Sequence, residues 1–313
     1  MTAETTPASP APPRRPWTGL LNNPVTMKEL RSRMRGRRAF AVLTIYLIVL
    51  SAAILFVYLI YLSSAAIPSS TMARTSGKGL FAAVLGVQIL LVTFMGPAFT
   101  AGAISGERER QTYDLLRTTL LSADAFVLGK LVSALSYIFL LVIVSIPLQS
   151  LAFLLGGLSP VELLLSQLLI LIAALPYALY GLWCSAAMRS TLAATVATFA
   201  GTLFFTFGIP SLVFIAIVLM GMTGVAMGTP DPALEAILIY VGLVLAATNL
   251  PATLILSETF LLNQDTLLGY THFIGTQSMW IFSPWWLFII FHVLAAIVFY
   301  IATVRRVRRV SDV

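Results

Sequence analysis

Residues 39–62 read AFAVLTIYLIVLSAAILFVYLIYL, twenty-four positions without a charge. At 1.5 Å of rise per residue such a stretch makes a helix of about 36 Å, enough to cross the roughly 30 Å hydrocarbon core of a bilayer. Lipid supplies no hydrogen bonds, so an uncharged run of this length must pair its own backbone groups, and a helix does so. Working outward, the pattern recurs at about 80–104, 131–155, 163–188, 191–221 and 281–304. Across the 313 residues 59% are hydrophobic and only 10% charged, with a mean hydropathy of +0.95. A soluble domain carries about 25% charged residues. The expected fold is therefore an all-α, polytopic membrane helical bundle with six transmembrane helices. Residues 23–308 form its single transmembrane domain, with a disordered tail at 1–22 and a short tail at 309–313.

The basic residues set the orientation. Eight precede the first span: Arg14, Arg15, Lys28, Arg31, Arg33, Arg35, Arg37 and Arg38. Arg108, Arg110, Arg117 and Lys130 lie between spans two and three, Arg189 between four and five, and Arg305, Arg306, Arg308 and Arg309 after the last. Threading the chain through the bilayer puts 17 of the 19 Lys and Arg on one face, leaving Arg74 and Lys78 on the other. The positive-inside rule makes that face cytoplasmic, with both termini on it. The expected location is a prokaryotic cell membrane. The same distribution accounts for the net charge of +7 without nucleic acid.

Parity then demands that one apolar run does not cross. The best candidate is about 233–257, interrupted at Asn249-Leu250-Pro251, expected as a re-entrant or external hydrophobic segment before the last span. The alternative, eight crossings with 258–279 inserted, would bury Glu258, Asn263, Gln264, Asp265 and His272. Gly208-Ile209-Pro210 should kink or break the fifth span. Trp280, Trp285 and Trp286 read as an interfacial anchor at the start of the sixth.

The segment richest in chemistry is 105–119, SGERERQTYDLLRTT. Glu107 and Glu109 suit the first turn of a helix, Arg110 and Asp114 are spaced for an i,i+4 pair, and Tyr113, Leu116 and Leu120 make an apolar stripe. Such a helix at the mouth of a span either docks into a groove on a soluble partner or lies on lipid headgroups. Upstream, Met27, Leu30 and Met34 give the basic stretch 26–38 an apolar underside. That stretch reads as an interfacial helix or as a plain positive flank.

The order Glu107-Arg108-Glu109, Thr112, Leu115-Leu116, Thr119, Ser122, Gly129-Lys130 resembles the cytoplasmic loop of permease subunits of type-2 ABC transporters. It departs from them at Gln111, where glycine is usual, and at Leu120, where proline is usual, so a more continuous helix is expected. Asn23-Pro24-Val25 with Lys28, Glu29, Arg31, Arg33 and Arg35 is similar to the family's N-terminal elbow helix. The resemblance spans about residues 22–308 and implies that 105–120 is a coupling helix. ATPase-coupling residues would then be Glu107, Arg108, Glu109, Gln111, Thr112, Tyr113, Leu115 and Leu116. The implied partners are two copies of an ABC ATPase subunit, which bind ATP and Mg, together with membrane lipids and a second permease chain, identical or paralogous. No cofactor would bind this chain directly.

Thr191, Thr195, Thr198, Thr202 and Thr206 share one helical face. It lines a path, packs against another helix, or bonds back to its own i−4 carbonyls. With Gln88, Thr93 and Thr100 of the second span, Thr195, Thr198, Thr202 and Thr206 are the candidates for a translocation path or dimer seam. Gly102 and Gly106 form a small-xxx-small pair. No phosphate-cradling motif occurs, since Ser76-Gly77-Lys78-Gly79 lacks the spacing. The lone Cys184 excludes an intrachain disulfide, and His272 and His292 have no metal-ligand partners in sequence. No catalytic or metal-binding residue is therefore expected. A secondary transporter or channel, or a non-transporting anchor or sensor, is the alternative to an ATP-driven exporter.

The topology is directly testable. In a Cys184→Ser background, a cysteine placed at Thr75 should react with impermeant maleimide in intact cells, and one at Ser311 only after permeabilisation. The reverse pattern would invert the bundle.

Overall fold

The computed structural model describes residues 37–64, 70–111, 122–154, 158–222, 232–264, 268–274 and 277–311. Both tails, the elbow positions Lys28, Glu29, Arg31, Arg33 and Arg35, and the loop positions Thr112, Tyr113, Leu115 and Leu116 lie outside the described residues. Helices α1 (Arg37–Ser64), α2 (Ser70–Thr100), α3 (Ser105–Glu109), α4 (Ala123–Leu154), α5 (Pro160–Ala187) and α6 (Thr191–Leu203) follow in order. A π-turn (Phe204–Gly208) leads into α7 (Ile209–Met222), then α8 (Pro232–Ala247) and α9 (Leu250–Gln264). Strands β1 (Gly269–Ile274) and β2 (Gln277–Phe282) precede the last helix, α10 (Pro284–Ser311). Six helical segments among the described residues are long and apolar enough to cross a membrane: Phe40–Ser63, Ser76–Glu109, Ala123–Leu154, Pro160–Ala187, Thr191–Ile215 and Pro284–Arg308. They coincide with the six runs read from sequence, and the chain is a helical bundle of multi-pass type.

Helix α5 runs through the middle, touching α2, α4, α6, α9 and α10. Its start follows from local chemistry. The Ser159 hydroxyl accepts the Glu162 N–H at 3.2 Å, the Glu162 carboxylate accepts the Ser159 N–H at 2.9 Å, and Pro160 occupies the first turn. Together these satisfy donors that a helix N-terminus leaves open. Two apolar cores flank α5. Leu50, Val84, Ile138, Leu141, Leu169, Leu250 and Phe288 fill one; Ile104, Val127, Leu182 and Val304 fill the other. Helix α1 turns Phe40, Ile48, Leu55 and Phe56 outward, as a lipid-facing helix must.

The segment before the last span is two short helices. At 16 and 15 residues, α8 and α9 extend only about 24 Å each, short of a bilayer core. They break at Thr248-Asn249, where the interruption is expected, and pack on α10, with α9 also against α2 and α5. Residues 269–274 and 277–282 pair as antiparallel strands, Gly269 with Phe282 through Ile274 with Gln277, so they do not supply an eighth crossing helix. The strand pair is a small addition to a bundle that is otherwise helical among the described residues, as the all-α expectation has it. Aromatic and β-branched residues (Tyr270, Thr271, Phe273, Ile274, Trp280, Ile281) favour strand, and Ser283-Pro284 ends it and starts α10. One detail of the anchor reading is corrected: Trp280 sits in β2, and the last helix begins only at Pro284. The hairpin lies on α8 and α9, with the Tyr240 hydroxyl donating to the Trp280 carbonyl at 2.8 Å and Phe260 meeting Tyr270 edge-on.

Two interruptions meet inside the bundle. Pro210 has no N–H, so the Thr206 carbonyl four residues earlier loses its helical donor. In the π-turn the Ile209 N–H reaches back to Phe204, which frees the Phe205 carbonyl as well. The buried Asn249 side chain donates to both, at 2.8 Å to Thr206 and 3.3 Å to Phe205. Its Oδ1 accepts the Ala252 N–H and so caps α9, while the Thr253 hydroxyl closes the end of α8 on the Ala246 carbonyl. Asn249→Ala should therefore cost about 1–3 kcal/mol, the penalty for buried acceptors left unpaired. Adding Pro210→Ala, which restores an N–H, should recover part of it. Thermal unfolding in detergent checks this; equal losses in the single and double variants would refute the pairing.

Candidate functional site

Helix α2 contains Pro97 and ends at Thr100, after which residues 101–104 turn into the single-turn helix α3. The turn is fixed from α5. The buried Ser185 hydroxyl accepts the N–H groups of Ile104 and Ser105 at 2.9 and 3.0 Å. Both carboxylates of α3 are then tied to other spans. Glu107 meets Lys130 of α4 at 2.7 Å, and Lys130 is 2% exposed with its ammonium over the Phe126 ring. Glu109 accepts the Thr191 N–H at 2.7 Å and the Thr191 hydroxyl at 2.9 Å. A carboxylate there complements the positive end of α6, whose other cap is the Ser190 hydroxyl on the Ala193 N–H. Gly102 and Gly106 face the Thr191 methyl, so the small pair allows the close packing its spacing suggests.

The helix is shorter than expected. It stops at Glu109, the Arg110 N–H closes on the Gly106 carbonyl, and Gln111 adopts φ 57°. That left-handed conformation is unfavourable for a residue with a Cβ and ends a helix as glycine would. The continuous helix anticipated from Gln111 is thus corrected: the bend is present at the position where the resembled family carries glycine. Arg108 lies between the two anchored carboxylates. The Asp114 half of the expected Arg110–Asp114 pair lies outside the described residues.

The threonine face points inward. Thr198, Thr202 and Thr206 are buried and Thr195 is half-buried. Thr195, Thr198 and Thr202 donate to the carbonyls of Thr191, Ala194 and Thr198 at 2.6–2.8 Å, and Thr206 bonds the Tyr177 hydroxyl of α5 at 2.9 Å. Within one chain these residues are a packing surface against α2 and α5, where Thr100 bonds the Gly96 carbonyl at 2.8 Å. The exposed side of α6, the π-turn and α7 carries instead Leu192, Val196, Phe205, Leu212 and Phe214. Thr93 is buried too.

Gln88 belongs to a polar cluster sealed in the bundle. Its Nε2 donates to Ser145 at 2.5 Å and Gln167 at 3.1 Å, and its Oε1 accepts from Gln149 at 2.9 Å, joining α2, α4 and α5. All four side chains are buried, so in lipid they act as interhelical glue. The sequence reading passed over Ser145, Gln149, Gln167, Ser185, Tyr177 and the role of Lys130. A lone polar side chain within an apolar run was the available signal. Among the described residues no three His, Cys, Asp or Glu converge as metal ligands.

No family model matches the chain, and no curated protein matches it.

One close helix contact supplies a test. A Cβ on Gly181 of α5 would collide with the Thr100 hydroxyl and press on the Thr198 methyl. Gly181→Ala should destabilise by about 1–3 kcal/mol, with Thr100→Ala relieving part of the loss. A neutral Gly181→Ala in thermal unfolding would mean that α2, α5 and α6 are not packed this closely.

Proposed function

We propose that this chain is the membrane-spanning subunit of an ATP-driven exporter of the type-2 ABC class. On this reading two permease chains, identical or paralogous, work with two copies of a separate ATPase subunit in a cell membrane, with both termini cytoplasmic. The observation that carries it is the anchoring of α3. The segment whose residue order resembles the family's coupling helix is attached by Glu107 to α4, by Glu109 to α6 and by Ser105 to α5. The two ends of the resembled motif, Glu107 and Lys130, are partners although 23 residues apart. A push on residues 105–111 from a nucleotide-driven partner would reach three spans at once without rebuilding any helix.

The mechanism follows from those attachments. Closure of the ATPase pair on ATP would shift α3. The rigid link through Ser185 would carry that shift to α5, and the Glu109 bond would carry it to the start of α6. The π-turn and Pro210 then give α6 and α7 a place to bend, since the helical ladder is already interrupted there. Substrate would pass or be extruded between the two permease chains, along the faces that α2 and α6 present when they part.

Charge reversal tests the coupling. Glu107→Arg sets two cations against each other at the Lys130 contact and should lower ATP hydrolysis by the co-purified complex roughly 5- to 150-fold, the range of a coupling of 1–3 kcal/mol. Adding Lys130→Glu should restore it, with membrane insertion normal throughout. Failure of any ATPase to co-purify in mild detergent, or unchanged hydrolysis in the single variant, would count against this function.

A further inference from the structure

The ends of α5 and α9 farthest from α3 enclose, with α2, a small space that the transport reading does not use. Its volume is about 20 Å³, room for one water-sized particle. Phe81 of α2 and Leu169 of α5 form apolar wall, while Glu162 of α5 and Ser257 and Glu258 of α9 bring oxygen atoms to it.

Each oxygen has a reason to face a ligand. Ser257 is 3% exposed, and its hydroxyl has no hydrogen-bond partner in the protein. Buried hydroxyls are rarely left that way. Glu162 spends one carboxylate oxygen on the Ser159 cap, which leaves the other for the space. Glu258 is half-buried and lines the same space as Glu162, within reach of the Lys78 charge from α2. Among the described residues, two carboxylates thus meet one ammonium there, beside apolar walls. The lining donors are all oxygen, the set that hard cations prefer over zinc or copper.

We propose that this pocket binds one hard cation, calcium ahead of sodium, through the carboxylates of Glu162 and Glu258 and the hydroxyl of Ser257. The bound ion clasps α9 to the start of α5. The hairpin-bearing segment is thereby fastened to the central helix by the ion and to the π-turn by the Asn249 contact.

The test uses the full-length chain purified in detergent, its thermal midpoint followed against CaCl2 and NaCl with choline chloride as the ionic-strength control. CaCl2 should raise the midpoint saturably and at lower concentration than NaCl. Glu258→Gln should weaken the apparent affinity about tenfold or more, since charge count tunes such sites, and Ser257→Ala should weaken it less. The midpoint of Glu258→Gln without cation should match or exceed that of the parent, because the repulsion from Glu162 is gone; this also shows that the variant folds. Three results would overturn the proposal: no saturable cation response, an unchanged response in Glu258→Gln, or a response that emerges only in Lys78→Gln. The last would make the Lys78 ammonium the native countercharge.

Discussion

A carboxamide donating to two backbone carbonyls is the contact on which this architecture turns. Hydrocarbon offers no replacement for a missing N–H, so each helix break at membrane depth needs a partner from the protein. Pro210 and the π-turn release the carbonyls of Thr206 and Phe205, and Asn249 takes both. The same residue caps α9, so one side chain allows a bent fifth span and an interrupted α8–α9 segment to exist side by side. Without it, the two freed carbonyls would be left unpaired inside the bundle.

The same rule explains where polar residues lie. Gln88, Ser145, Gln149 and Gln167 satisfy one another at the centre of α2, α4 and α5, and the threonines of α6 return their hydroxyls to their own helix or to Tyr177. These contacts hold α2, α4 and α5 as one body; α6 packs on it around Gly181 and is tied through Glu109 at its first turn, and the π-turn is joined to it at Thr206. On the proposed function, the π-turn and Pro210 are where such a body would bend when driven from its inner end. Charge at that end is arranged accordingly, with each carboxylate of α3 bonded to a different span.

Length and lack of charge made the six spans legible, because crossing a bilayer needs little else. Both helix breaks were legible too, as Gly208-Ile209-Pro210 and Asn249-Leu250-Pro251. Their meeting was not, since 43 residues separate Thr206 from Asn249 and no periodicity links them. The strand pair at 269–274 and 277–282 was missed because its polar content was read only as an argument against insertion, and the strand-forming aromatics were not weighed. Gln111 misled in another way: glutamine disfavours a left-handed turn but does not forbid one, and anchored carboxylates on the preceding turn end the helix there regardless. Glu107 and Lys130 were both noted as parts of one pattern, yet only the three-dimensional arrangement pairs them.

The central claim is that a nucleotide-hydrolysing subunit grips the inner end of α2. A photoreactive amino acid at Gln111, the exposed residue at the tip of this turn, tests it most directly. Irradiation of native membranes should give a single protein adduct whose captured partner carries an ATP-binding motif, with cross-linking changed by ATP and vanadate. Adducts confined to lipid, with no protein captured in any nucleotide state, would contradict the account.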